Sequence, residues 1–568
     1  MKNFGIACAC VCRVLAGTLA SLLLLGPAWA EVQAQSSRPA APVVTAGANL
    51  KQLTFDWDPV PGADSYRLLE RMRPGEAFTR VGDPIPASRT RANAFVVAHL
   101  FDWDATRFAI AACNSAGCTR SAPVDPKPFM LDVIGYVKAS NTEPVSPPEP
   151  QFDNFGHRTA MSTDGSTLAI AAPGESSSAS GVNGDQFNND SPNSGAVYVF
   201  RRDGRRWRQE AYLKDLVDAP FMGFGGGGGG GKGALAISGD GTWLAVGAQG
   251  ETVNGVTAAG RVYLFFRDAS GTWTVHSVHN APALEGRIFF GGSLDMSEDG
   301  TLLKVSVLIP GVGMAGQTTS EIHFFERSGM TWTLVDSLPT LFPEWDCRQS
   351  GMSGDGLTLI VVCHSELILG DRLVTLKRIG GEWVRVNELA LGPSAVNQPV
   401  ALDHHGTRMA AVEGATSYSV LLHSWSGSEW VREVALPAPA AAPGEGDTWG
   451  FPVVFSRDGR VAAIADLFSR VAGVGVMKTV RRNATDWPEG AVLVYRRAPD
   501  CPTWRLRSVL KAPNAQDTQA YGFGASMAMS GNAKYLAIGA PWEDSNARGI
   551  DGDRTNNDSN DAGAVYIY

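Results

Sequence analysis

The side chains best placed to do chemistry lie in two stretches of nearly one pattern, G-V-N-G-D-Q-F-N-N-D-S-P-N-S-G (Gly181 to Gly195) and G-I-D-G-D-R-T-N-N-D-S-N-D-A-G (Gly549 to Gly563). Asp185, Asn189 and Asp190 in the first, and Asp551, Asp553, Asn557 and Asp558 in the second, gather carboxylate and amide oxygens of the kind calcium takes. Calcium is therefore the candidate cofactor. The competing reading is that Asn, Asp, Gly and Ser cap their own backbone in such loops as Asx-turns. A third long stretch, Asp466 to Glu489, carries Arg470, Lys478, Arg481 and Arg482; with Glu543 and Asp544 these form the candidate ligand-binding set.

No residue earns a catalytic role. A Gly-x-Ser-x-Gly elbow, an H-E-x-x-H helix and a Cys-x-x-Cys pair are all missing. The run Gly225 to Gly231 before Lys232 is followed by Gly233 where a phosphate loop needs Ser or Thr, so it reads as a glycine insertion. His404 and His405 fall in a tight turn, where adjacent side chains are expected to point apart and share no metal. Among the cysteines, Cys113 and Cys118 flank a short N-S-A-G loop, and Cys347 and Cys363 fall opposite each other across a hairpin centred near Asp355. Both pairs are expected to close in an oxidising compartment, leaving Cys501 as an unpaired thiol.

That compartment is also indicated by the N-terminus. Lys2 and Arg13 precede an apolar run from Val14 to Leu25, then Gly26-Pro27 and Ala28-Trp29-Ala30, the layout of a secretory signal peptide over residues 1–30. The run is too short to cross about 30 Å of hydrocarbon, and no later stretch is long enough, so no transmembrane segment is expected in the mature chain. A formal charge of -9 over 568 residues gives no basic footprint for nucleic acid. The expected location is extracellular, periplasmic or at the cell surface.

After a linker over residues 31–42, residues 43–125 read as short alternating strands. Leu53, Phe55 and Trp57 alternate with polar partners, V-P-G-A-D-S turns the chain before Tyr66, and Phe108, Ile110 and Ala112 lead into C-N-S-A-G-C. The tryptophan, the Val60 to Tyr66 turn and the later strand together resemble a fibronectin type III domain, with Phe108 where that family usually has tyrosine. The resemblance implies a β-sandwich acting as a spacer or accessory contact.

Residues 130–568 repeat. A turn of the type S-x-D-G recurs as Ser162-Thr-Asp-Gly, Ser238-Gly-Asp-Gly, Ser297-Glu-Asp-Gly, Ser353-Gly-Asp-Gly, Asp403-His-His-Gly, Ser456-Arg-Asp-Gly and Ser530-Gly-Asn-Ala. Asp-Gly is a strong hairpin signal, here taken as type I′. Each turn is followed by a G-A-V-Y-V-F-type strand, and six are then followed by a strand led by Trp207, Trp273, Trp332, Trp383, Trp430 or Trp504. Four strands per unit is the blade of a propeller. The last unit ends at Tyr568 without its tryptophan strand, and V-I-G-Y-V-K-A-S-N (Val133 to Asn141) matches R-S-V-L-K-A-P-N (Arg507 to Asn514). The early strand is therefore expected to close the ring. Deleting residues 131–141 is expected to open it, and deleting the sandwich is not.

Phe-Gly before the turns (Phe155, Phe224, Phe290, Phe523) and L-A-I-G-A-P after them (Leu536 to Pro541) resemble FG-GAP repeats, the integrin α-subunit kind. The calcium loop of such repeats is shortened here to a tight turn, so those ion sites are not carried over. The expected fold is all-β: a seven-bladed β-propeller closed by an N-terminal strand and preceded by a fibronectin type III-like β-sandwich. The expected function is that of an exported binding or adhesion protein whose loop face on blades six, seven and one meets a protein or glycan. The alternative is a carbohydrate-active hydrolase or lyase with an axial site.

Overall fold

The computed structural model describes residues 37–143, 152–204, 206–217, 219–226, 233–282, 288–309, 319–338, 346–365, 370–391, 399–414, 418–437, 449–480, 489–498, 503–515 and 522–568. The signal-peptide segment, the core of the glycine run, Arg481, Arg482 and Cys501 lie outside the described residues.

The first part of the chain forms two facing antiparallel sheets. One holds Val44–Asn49, Gln52–Trp57 and Arg91–Phe95; the other holds Thr79–Pro86, Ser65–Arg71, Arg107–Asn114 and Gly117–Arg120 in that order. The alternation read from sequence points Leu53, Phe55 and Trp57 inward, where Trp57 meets Tyr66 at 5.0 Å and Phe55 meets Phe108 at 5.2 Å between ring centroids. Tyr66 has a second task, because its hydroxyl accepts a 2.7 Å hydrogen bond from Val60 N and so pins the turn that precedes it. Cys113 and Cys118 are direct strand partners and form a disulfide.

Among the described residues the rest forms a succession of seven antiparallel sheets. In the first, Arg158–Met161, Thr167–Ala172, Ala196–Asp203 and Arg206–Leu213 run from inside to outside, and the next four repeat that order. The sixth adds Gly475–Met477 outside its fourth strand. In the last, Gly135–Val137 supplies the outer strand beside Ala564–Ile567, with Tyr136 opposite Tyr566. Innermost strands touch from each sheet to the next, and Ser526–Met529 touches Arg158–Met161, so the contacts run full circle. Nearly every apolar residue of the second and third strands is buried between adjacent sheets. The fold is all-β, and its four-stranded sheets make it a β-propeller. Cys347 and Cys363 face each other in the fourth of these sheets and form the second disulfide.

Two local devices explain the repeated sequence. The S-x-D-G segments do form hairpins, but not type I′ turns. Only the glycine takes positive φ (Gly165, 69°), its N–H donates to Ser162 O at 2.9 Å, and Asp164 keeps an ordinary conformation, which is a type I turn followed by a left-handed glycine. Ser162 Oγ donates to Asp164 Oδ1 at 2.7 Å and accepts from Thr167 N at 2.9 Å, so one hydroxyl ties both ends of the turn. Ser238, Ser297, Ser353 and Ser456 bond in the same way.

The second device joins neighbouring units. Phe224 N donates to Ser194 O and Phe290 N to Ala259 O, each at 3.0 Å, and Phe155 N donates to Ala562 O at the same 3.0 Å, linking the last unit to the first. The glycine that opens each G-A-V-Y-V-F strand lies against this phenylalanine backbone. A Cβ on Gly563 would come within 2.1 Å of Phe155 O, which leaves room for no other residue.

The first two sheets, expected to act as a spacer or accessory contact, pack directly against the repeated sheets. Lys51, 3% exposed, sends Nζ to Lys534 O at 2.8 Å and lies 5.2 Å from the Tyr535 ring centroid. Arg507 Nη2 donates to Leu100 O at 2.6 Å, and Ser508 Oγ donates to His99 O at 2.6 Å. Leu53, Val96 and Trp103 share one apolar core with Tyr136, Leu510 and Tyr568. Sequence periodicity shows which face of a strand is apolar but not that a loop such as Val97 to Phe101 is buried against another part of the chain.

Candidate functional site

Each sheet connects its second strand to its third, and its fourth to the next sheet, on the same side of the ring; the S-x-D-G turns lie on the opposite side. The long acidic loops therefore rise on the first side. Segment 138–143, which follows the closing strand, runs between them. Asn189 Nδ2 donates to Glu143 Oε2 at 2.8 Å and Ser140 Oγ to Gln186 Oε1 at 2.8 Å on one flank; Arg548 Nε donates to Thr142 O at 2.6 Å and Ser559 Oγ to Glu143 O on the other. The two loops, far apart in sequence, are thus fastened to one strip of chain.

Within each loop the polar side chains bind their own backbone. Phe187 N donates to Asp185 Oδ1 at 3.0 Å and Thr555 N to Asp553 Oδ1 at 2.9 Å; Ser177 Oγ reaches Asp185 O and Ser545 Oγ reaches Asp553 O, each at 2.7 Å. Asp551 Oδ1 accepts from Tyr136 N at 3.3 Å. Asp190 N and Asp558 N each donate to the amide oxygen two residues earlier, Asn188 and Asn556, at 3.4 Å. Hydrogen bonds to Thr555 hold the Asp553 carboxyl below its ordinary pKa, whereas burial raises those of Asp551 and Asp544. Among the described residues no group of three or more His, Cys, Asp and Glu side chains is spaced to hold a metal ion. Asn557 has an interaction of its own in the second loop.

Of the basic and acidic residues expected at a ligand surface, Lys478, Glu543 and Asp544 bond to other parts of the chain. Lys478 Nζ pairs with Asp102 Oδ1 at 2.6 Å and Asp104 Oδ2 at 3.5 Å, tying the sixth sheet's long loop to the N-terminal sheets. Arg470 is half-buried. Asp544 Oδ1 accepts from Asp561 N at 2.8 Å. Glu543 is fully buried: Oε2 takes Lys138 Nζ at 2.8 Å, and Oε1 accepts from Tyr136 OH at 2.8 Å and Asn514 Nδ2 at 3.1 Å. Glu175 repeats this with Lys214 Nζ at 2.9 Å and Asn141 Nδ2 at 3.0 Å, and Glu251 with Tyr263 OH at 2.8 Å and Arg261. The sequence did carry the signal, because the glutamates follow A-A-P-G, G-A-Q-G and G-A-P-W at one offset.

Three exposed apolar side chains lie together on the same side of the ring. Phe187 is 58% exposed, Leu216 52% and Phe221 70%. They belong to one bonded unit, since Gly181 N donates to Asp215 O and Phe221 N to Pro192 O, each at 2.9 Å.

At the ring axis a cavity of about 270 Å³ is walled by Met161, Leu235, Ile237, Leu294, Met296 and Met527, with Arg158, Thr159, Asp295 and Ser526 as its polar lining. Asp295 Oδ2 holds Lys304 Nζ at 2.8 Å. Below it, turn tips bond one to the next: Thr163 N to Gly239 O, Gly239 N to Glu298 O, Glu298 N to Gly354 O, Asp355 N to His404 O, Arg457 N to Gly531 O and Gly531 N to Thr163 O, all between 2.7 and 2.9 Å. Between His404 and Arg457 the side chains make the link. His404 Nδ1 lies 2.5 Å and Arg457 Nε 2.9 Å from Glu298 Oε2, and Arg457 Nη2 lies 3.2 Å from His404 Nε2. His404 and His405 do not point apart; their rings pack edge to face at 4.5 Å.

No model of a known protein family matches the sequence, and no curated protein does. Among solved structures, the periplasmic gluconolactonase of Pseudomonas aeruginosa aligns at 14% identity and TM-score 0.38 over 79% of this chain and 96% of its own. The Cps50 (Swd1) β-propeller domain of Myceliophteria thermophila aligns at 10% and 0.40 over 72% and 96%, and an oligogalacturonate lyase in complex with manganese at 13% and 0.38 over 76% and 94%. The likeness is one of fold. The two disulfides fit a non-cytoplasmic location, and among the described residues no helix is long and apolar enough to cross a membrane.

Proposed function

We propose that the chain is an exported binding protein: a seven-bladed propeller of FG-GAP type, carrying a fibronectin type III-like module, that engages a partner protein with the loop face of its first and last blades. The observation that carries this reading is the set of exposed Phe187, Leu216 and Phe221 on a loop unit held rigid by its own hydrogen bonds. Large apolar side chains rimmed by polar loops are costly to leave in water and mark surfaces that another protein covers. Strapping of both long loops to segment 138–143 supports it, because a preorganised surface loses less entropy on binding. The FG-GAP assignment is supported by the repeated phenylalanine bond from one unit to the next, and the fibronectin-like one by the two-sheet order around Trp57 and Tyr66.

Of the alternatives at the axis, a glycoside hydrolase needs paired carboxylates and an eliminating lyase needs a general base. The described lining offers Asp295, already bonded to Lys304. The test is a photo-cross-linking side chain placed in turn at Phe187, at Phe221 and, on the opposite side, at Asp355. The reading expects one shared partner from the first two positions and none from the third. Equal yields from both sides, or none from the loop positions, would remove it.

A further inference from the structure

The axial cavity contains a charge that the fold does not neutralise. Arg158 opens the innermost strand of the first sheet, and of its five N–H donors the described protein satisfies one, Nη1 to His157 O at 3.1 Å. Its Nε is buried without a partner, and so is the hydroxyl of Thr159 beside it in the lining. Among the described residues no carboxylate forms an ion pair with it, and burial lowers its pKa, to about 10. An arginine does not discharge itself by losing a proton near neutral pH, and this one is half-buried with its Nε cut off from water and unpartnered, so its guanidinium is stabilised by an anion that comes from outside.

The repeat provides its own control. Four residues before the turn, where the first unit has Arg158, the other six carry Ala234, Ser293, Gln349, Pro399, Pro452 and Ser526, none of them charged. Gly233 of the next unit makes room for the arginine, since a Cβ there would fall 2.0 Å from Arg158 Cδ and 2.1 Å from Nε. Among the described lining residues the one carboxylate, Asp295, is matched by Lys304, which leaves one net positive charge beside a wall that is about half polar and half apolar.

We propose that this cavity is a binding site for a small organic carboxylate, anchored by the Arg158 guanidinium with its carbon chain against Leu235, Leu294, Met296 and Met527. A volume of about 270 Å³ suits a short chain. A single cation with Leu235, Leu294, Met296 and Met527 on one part of the wall matches a monoanion with an apolar body better than a multiply charged phosphate.

The test is calorimetric titration of the full mature chain at pH 7 with hexanoate, hexanol and inorganic phosphate, on the wild type and on Arg158→Ser and Arg158→Lys. Serine is the residue two other units carry at this position, so the variant is expected to fold, and its melting curve checks that. Hexanoate is expected to bind one per chain, with hexanol weaker by about 10- to 100-fold, the worth of a charge-assisted hydrogen bond. Arg158→Ser should reduce hexanoate to the hexanol level, and Arg158→Lys should retain part of the difference. Equal binding of hexanoate and hexanol, binding of phosphate in preference to hexanoate, undiminished binding by a folded Arg158→Ser, or binding of none of the three would each overturn the proposal.

Discussion

Replacing Glu543 with Gln isolates the energetics that close the ring. Lys138 Nζ lies 2.8 Å from Glu543 Oε2 with both side chains inaccessible to water, and burial already pushes the lysine pKa down. The glutamine keeps Oε1 for Tyr136 OH and Asn514 Nδ2, so what is removed is the charge opposite Lys138 together with the weak acceptor that Oε2 offers Ser545 N at 3.3 Å. Stranding one member of a buried pair costs about 3–5 kcal/mol, whereas replacing both members by neutral groups of similar size is often near neutral. Equilibrium unfolding in guanidinium, followed by tryptophan fluorescence, should therefore show a large loss for Glu543→Gln and recovery of most of it in Lys138→Met/Glu543→Gln. Arg91→Ala, which breaks the solvent-exposed pair with Asp56, should change little. If Glu543→Gln leaves the midpoint unmoved, or if the double variant is as damaged as the single, the pair does not hold the closing strand and Glu543 regains its claim as a surface ligand group.

Other outcomes follow from the same contacts. Burial and the nearby Glu175 raise the Asp153 carboxyl to about 7, so between pH 4 and 7 the folded chain holds a proton the unfolded chain has released. This group's contribution to stability falls as pH rises through that window, and Asp153→Asn should stabilise at pH 8 while changing little at pH 4, as read by urea midpoints. His157 is held neutral by burial, at about 3, and acts with the opposite sign, weakening the fold as pH falls below its ordinary value. A chain lacking residues 37–125 should melt lower and bind a hydrophobic dye, because it uncovers the shared core around Tyr136 and Tyr568; unchanged melting would show that the interface is inessential. Since backbone amides already occupy oxygens of Asp185 and Asp553, chelator should leave the melting temperature unchanged, and a drop on chelation would establish calcium in the loops.

The repeat was legible because hairpin chemistry is local: Ser, Asp and Gly within four positions specify each turn, and a tryptophan-led strand follows in the same order, though at varying distance, in six units. The closing strand was legible too, since Val133 to Asn141 matches a segment from another unit. Both disulfides were readable from short spacing across hairpins. What sequence did not disclose depends on partners distant along the chain. Glu543 reads as an exposed loop acid until Lys138 is placed beside it, and Lys478 reads as free until Asp102 arrives. Arg158 is an ordinary strand residue in the sequence, and becomes notable only when the ring leaves its guanidinium unmatched. Burial of charge is a property of the assembled ring, and amphipathic period does not encode it.

The proposed binding face requires the first and last long loops to form one surface. Spin labels at Asp185 and Asp553, measured by double electron–electron resonance in the full mature chain, address this without knowledge of any partner. A single narrow distribution at the short end of the accessible range is predicted. A broad or long-distance distribution would contradict both the closed ring and the binding face built on it.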